Sequence, residues 1–175
     1  MSLAQKGSPR TLAGALVDAG AATAEQFQAL GIPLDQESPG VLPERPATLE
    51  EYDDATAVSI QLVADLVNQA RAEEGLPPLI LDPQVTVCAM IRAEELHERF
   101  AHSRPDGSAN TTVLYENGVT YMRCGENIAS GYPTPTSVVN GWLDSSGHRK
   151  NIMNKNYTRL GVGVSGKRWV QIFID

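Results

Sequence analysis

The sequence predicts an α+β domain, a largely antiparallel sheet with helices packed on its faces. Three features carry this reading. Apolar residues recur at three- and four-residue spacing from Asp54 onward, and two alternating runs, LGVGV and GKRWVQIFI, close the chain across a short Ser-Gly-Lys turn. The helical patterns precede and interleave with the strand patterns through short connections, which favours antiparallel pairing.

Taken in order, residues 11–31 are Ala-rich with Leu12, Leu16, Val17, Phe27 and Leu30, a pattern for one or two short helices broken at Gly20. Residues 32–47 collect Pro33, Pro39, Pro43 and Pro46 and read as an extended linker. The domain boundary therefore falls near residue 50, with 1–50 as an N-terminal segment and linker and 51–175 as the folded domain. Val58, Leu62, Val63, Leu66, Val67 and Ala70 mark the first core helix, stopped at Gly75. Asp82 as N-cap and Pro83 in the first turn open a second helix, with Val85, Cys88, Ala89, Arg92, Ala93, Leu96 and Phe100 on one face. Asn110 is placed to cap a short helix carrying Val113 and Leu114, and residues 121–129 read as a strand. Thr134 and Pro135 begin a third helix through Val138, Val139 and Trp142, which stops at Ser145, Ser146 and Gly147. Trp142 and Trp169 take helical and strand spacing and are core candidates first.

Composition narrows the function classes. A net charge of −7 and scattered Lys and Arg argue against a nucleic-acid partner, because affinity for a phosphate backbone needs clustered cations. No run approaches the roughly 20 apolar residues of a membrane span. The start MSLAQKGSPR lacks a signal-peptide core; Met1, Ser2 and Leu3 look like a cloning scar, so the missing signal says little about localisation. Two cysteines, Cys88 and Cys124, leave two readings open: separate thiols, or one bridge worth about 4 kcal/mol in the chain-entropy model.

The densest motifs hold two of the three histidines and one glutamate: His102 in HSRPDG, Glu126 in GENIASG, and His148 in VVNGWLDSSGHRKNIMN. Followed by YTRLGVGV and WVQIF, these segments resemble, in order and spacing, the CAP superfamily of cysteine-rich secretory proteins, antigen 5 and plant pathogenesis-related proteins, and within it the bacterial SCP-like branch. The resemblance covers about residues 56–175. It implies a three-layer α/β/α sandwich, a secreted or cell-surface location, and a central cleft lined by His102, Glu126 and His148, where some members bind a divalent cation. Many eukaryotic members carry a second acidic residue three positions after the helix tryptophan; here that position is Ser145, with Asp144 before it, and helical spacing of about 100° per residue keeps the two from facing one cleft together.

Two neutral imidazoles and a carboxylate are the donors of a three-ligand Zn²⁺ site, so His102, His148 and Glu126 are candidate metal ligands. The alternative is a hydrogen-bonded cleft pair without metal. Ser145 or Ser146 beside His148, with Glu126 as orienter, supplies the residue types of a nucleophile, base and acid relay, yet no GxSxG elbow presents the serine, and serines also serve to end one helix and cap the next. His97, among charged residues in mid-helix, reads as a surface side chain. Asn127 is placed to bind neighbouring backbone, Pro105, Asp106 and Gly107 form a turn, and Arg149 reads as a structural anchor. The proline-containing loop 132–136 either borders a groove or simply connects.

The favoured functional expectation is a binding module using the His/Glu cleft. Its ligand would be a lipid or other small hydrophobic molecule, a cell-envelope component or a protein. The alternative is a metal-dependent, peptidase-like hydrolase in the same cleft, and fold resemblance alone does not choose between them.

Overall fold

A computed structural model describes residues 52–175. The Ala-rich segment and proline linker assigned to 1–50 lie outside the described residues. Helix α1 (Asp54–Glu73) begins where Asp53 accepts from the Thr56 amide at 3.0 Å and ends before Gly75, which takes φ +71°. Its buried stripe is Ile60, Val63, Ala64, Val67, Ala70 and Arg71. The expected stripe is corrected here: Val58 and Leu62 are exposed, because at about 100° per residue they lie nearly opposite Ile60.

Strand β1 (Ile80–Leu81), which the sequence did not announce, leads into α2 (Pro83–Glu98). Asp82 caps α2 as anticipated, accepting from the amides of Gln84 and Val85. The predicted face is buried from Val85 to Leu96, but Phe100 lies beyond the helix and is half exposed. Helix α3 (Thr112–Glu116) buries Val113 and Leu114; Thr111, not Asn110, sits at its N-cap, and no side chain caps it. Strand β2 (Cys124–Ser130) is followed by α4 (Pro135–Asp144), opened by a reciprocal Thr134–Ser137 capping box, then by α5 (Ser146–Ile152). Strands β3 (Arg159–Ser165) and β4 (Arg168–Ile174) form the closing hairpin.

The sheet runs β1-β3-β4-β2, with β3, β4 and β2 antiparallel and only the short β1 parallel to β3. Alternation along β4 divides the core. Trp169 and Phe173 join Ile60, Val63, Val67, Val138, Trp142 and Ile152 from α1, α4 and α5. Val170, Ile172 and Ile174 join Val85, Cys88, Ala89, Leu96, Val113 and Leu114 from α2 and α3. Helices thus cover both sheet faces, the α/β/α layering expected. Both tryptophans are core residues, at 1% and 3% exposure. Arg71, fully buried, donates to the carbonyls of Pro77, Ile152 and Asn154 and so ties α1 to the end of α5. No helix among the described residues is long and apolar enough to cross a membrane.

The cysteines are not bridged. Cys88 Sγ is buried against the Val113 carbonyl at 3.6 Å, whereas Cys124 is half-buried at the start of β2, its thiol pushed up by burial and then by the charges of Glu126 and Asp175.

Two glycines of LGVGV set the spacing of one layer. A Cβ on Gly161 would fall on the backbone of Val85, and one on Gly163 on that of Ala89, so α2 rests directly on β3. Gly163→Ala is therefore expected to destabilise by about 3 kcal/mol in urea unfolding, since backbone must move to admit the methyl. Gly147→Ala, in open space within α5, is expected to be neutral or mildly stabilising.

Candidate functional site

The site is built around β2, an edge strand whose side chains alternate between the two helical layers. Glu126 points toward α2. Its Oε2 accepts from Arg92 Nε at 2.9 Å and its Oε1 from His102 Nδ1 at 2.8 Å. The next residue, Asn127, points the other way, donating to the His148 carbonyl at 3.1 Å and to Gln171 Oε1 at 3.0 Å. Neighbouring positions on one strand thereby hold the two histidine segments on opposite sides of the sheet edge.

The His102 segment is anchored from beneath. Arg92 is fully buried and also donates to Glu95 and to the Ala101 carbonyl. Burial pulls its guanidinium down, but the hydrogen bonds and charges of Glu126 and Glu95 outweigh this and hold it above its ordinary value. Arg104 bonds Glu95, Thr112 and Glu116, fastening the loop to α2 and α3. Gly107, at φ +88°, lets the loop fold back so that Ser103 bridges Ala109. The result is a His102 side chain 61% exposed on a carboxylate only 2% exposed. Since the carboxylate can only accept, Nδ1 carries the proton toward it, and in the neutral ring Nε2 presents its lone pair outward.

His148 sits on α5 rather than in an open turn. Asn151 supports this placement, reaching Asn127 Oδ1 at 2.9 Å and the Glu126 carbonyl at 3.3 Å. Among the described residues no partner meets the buried His148 Nδ1. Burial, and then the nearby charge of His102, lower the His148 pKa below its ordinary 6.5, which favours the neutral ring at neutral pH. A small, shallow depression lies on the α3 side of the strand, against Cys124, Gly125 and Glu126.

The structure brings His102, Glu126 and His148 into one neighbourhood and gives them different tasks. Both Glu126 oxygens are taken, one by Arg92 and the other by His102. Among the described residues no group of three His, Cys, Asp or Glu side chains is arranged to hold a metal ion. Ser145 is half-buried between α4 and α5, where its carbonyl accepts from the Arg149 amide; neither it nor Ser146 hydrogen-bonds His148. Asp144 is exposed. His97 lies at the surface against Ser165, and Arg149 anchors to Glu74 at 2.6 Å. In the 132–136 loop, the Tyr132 carbonyl accepts from the Trp169 indole at 2.9 Å and its ring covers Gly141. Arg92 is the residue sequence reading left without a task; its signal was an arginine on an otherwise apolar helix face.

The model of the cysteine-rich secretory protein family, CAP, matches residues 64–173. The chain is 34% identical over 157 residues to the uncharacterized protein YkwD of Bacillus subtilis, covering 87% of this chain and 58% of that protein. It is 38% identical over 127 residues to the uncharacterized membrane protein YlbC of the same organism, covering 71% of this chain and 37% of that one. The chain thus spans little more than half, or less, of the curated relatives it matches. A solved extracellular protein containing a SCP domain from Bacillus anthracis superposes with a TM-score of 0.68 at 33% identity, over 74% of this chain and 44% of that one. The family match runs from within α1 almost to the end of β4 and includes both histidine segments, and on that ground the chain belongs to the CAP family, in its bacterial SCP-like form.

Proposed function

We propose that this chain is a secreted or cell-surface CAP module that binds a ligand in the cleft between His102 and His148. One observation carries the reading: an exposed imidazole is held on a buried carboxylate that is itself held by a buried arginine. Burying Arg92 and Glu126 is costly unless their pairing is nearly complete, and the arrangement fixes a ring whose free nitrogen faces solvent. A surface histidine with no task needs no such support. The solved relative described as extracellular supports the location.

A second reading, a divalent-metal-dependent hydrolase, is favoured by the orientation of His102 through Nδ1 and by the buried Nδ1 of His148, which no described partner meets. When bound, a divalent ion would supply Lewis-acid chemistry to a ligand. His102 and His148 would hold it, with Glu126 as the orienting group. This chain's own contribution is to position the two rings and keep His148 neutral. With two protein donors and no serine joined to either ring, the binding reading stands first.

On the metal reading, Zn²⁺ titrated calorimetrically into metal-stripped protein near neutral pH binds one-to-one, and His102→Ala/His148→Ala abolishes that binding. Heat unchanged in the double variant would remove the metal site. Glu126→Gln should weaken binding by about 10-fold or more, the scale of losing an orienting carboxylate.

The depressed His148 pKa also fixes a pH dependence. The unfolded chain binds the proton more readily, so the stability from neutral His148 is complete above about 6.5 and is lost as pH falls below that value toward the folded pKa. Thermal unfolding from about pH 7.5 to 5 should show a falling Tm whose slope is shallower in His148→Gln. Equal slopes in the two proteins would reject the assignment.

A further inference from the structure

The amide network behind His148 has a direction that its partners fix. Asn127 Nδ2 meets the His148 carbonyl at 3.1 Å, and a carbonyl only accepts, so this atom is the donor end of the amide. The same nitrogen lies 3.0 Å from the Gln171 side chain, which must therefore turn Oε1 toward Asn127 and leave its NH₂ as the free end. Gln171 is fully buried on the Trp169 and Phe173 side of β4, and among the described residues nothing accepts from its Nε2. A buried donor without an acceptor is costly, and the side-chain atoms left partnerless in this layer offer one answer. Arg71 Nη2 and Trp142 Nε1 are donors too, whereas His148 Nδ1 can accept. Gln171 and His148 already share Asn127, which draws both to the start of α5.

Resting on the binding reading above, we propose that Gln171 is a positioning residue for His148: through one buried water its N–H fixes the ring as the Nε2–H tautomer, and the cleft thereby takes an amide group as ligand. Neither nitrogen meets the other directly, so a single bridging oxygen joins them, accepting from Gln171 Nε2 and donating to His148 Nδ1. Were Nδ1 protonated, the water would accept from both and keep its own two hydrogens among donors and apolar side chains. Burial favours the neutral ring near neutral pH, so the ring has one proton to place. Only Nδ1 of the ring is enclosed and the residue is part-exposed, which leaves Nε2–H facing outward. His102 has the opposite polarity, with its Nδ1–H on Glu126 and its Nε2 lone pair outward. A secondary amide satisfies both rings, its N–H meeting His102 and its C=O meeting His148. A carboxylate matches His148 alone, and a divalent cation His102 alone.

The test uses the full chain with isotope-labelled histidine at about pH 7.5, where the neutral ring prevails. Long-range proton–nitrogen NMR correlations separate protonated from bare ring nitrogens, and His148→Gln assigns the signal. Expected are Nε2–H at His148 and Nδ1–H at His102. Gln171→Met keeps the reach of the side chain without its amide and should lower the His148 tautomer ratio about fivefold, the scale of one hydrogen bond. Val162→Ala, paired with Gln171 across the sheet and buried in the same layer, should lower Tm and leave the ratio alone. A merely structural role for Gln171 would move the ratio in both variants or in neither. Nδ1–H at His148 in the unaltered protein overturns the proposal without any variant having to fold, and so does a ratio indifferent to Gln171→Met. The same spectra are then recorded with N-methylacetamide, acetate and Zn²⁺. N-methylacetamide should shift both rings and acetate His148 alone; Zn²⁺ shifting both rings while N-methylacetamide shifts neither overturns the amide assignment. A wrong tautomer with both rings still responding to a probe removes the role of Gln171 and leaves the cleft reading standing. Rings indifferent to all three probes remove the cleft reading and the amide ligand together, whatever the tautomer.

Discussion

The buried carboxylate of Glu126 is the interaction on which the rest of the site depends. A charge taken out of water must be answered on every oxygen, and here Arg92 and His102 answer it from two elements distant in sequence. Because Arg92 also holds the Ala101 carbonyl, one ion pair joins the edge strand, the second helix and the histidine loop. Glu95 extends the network through Arg104 to Glu116. Removing either member of the Arg92–Glu126 pair would leave the other charged and buried, which is why the geometry of His102 is tied to the stability of the domain.

The second constraint is the close seating of α2 on β3. With glycine at 161 and 163 the helix backbone rests on the strand, and this brings Arg92, two turns beyond Val85, over the sheet toward Glu126. The opposite layer is organised differently. There Arg71 supplies the buried polar anchor, and Asn127, Asn151 and Gln171 hold α5 against the strand through side-chain amides. One face is thus fixed by an ion pair and the other by hydrogen bonds to carbonyls and amides, and the histidines differ accordingly: His102 projects on a rigid carboxylate, while His148 lies in a drier place that favours its neutral ring.

Local patterns carried most of the elements. Asp82 with Pro83, Thr134 with Pro135, and the alternation of WVQIF each produce their structure from neighbouring residues, so helix starts and the closing hairpin follow from the sequence alone. The motifs around His102, Glu126 and His148 likewise named the family. Where the local pattern was ambiguous, packing decided. Val58 and Leu62 satisfy a helical period as well as Ile60 does, but only one side of α1 meets the sheet. Strand β1 is two residues long and exists because β3 lies beside it.

The roles within the cleft belong wholly to tertiary structure. Glu126 reads in sequence as a candidate metal ligand because a carboxylate near two histidines has the right atoms; only the folded chain shows its two oxygens bonded by Arg92, 34 residues away, and by His102. The same holds for the cysteines, whose number permits a bridge while their surroundings hold two separate thiols. Residue types and spacing fix which atoms are available and which helices and strands form, since those depend on contacts a few residues apart. Which lone pairs remain open is settled only when distant segments compete for the same donors and acceptors in the folded chain.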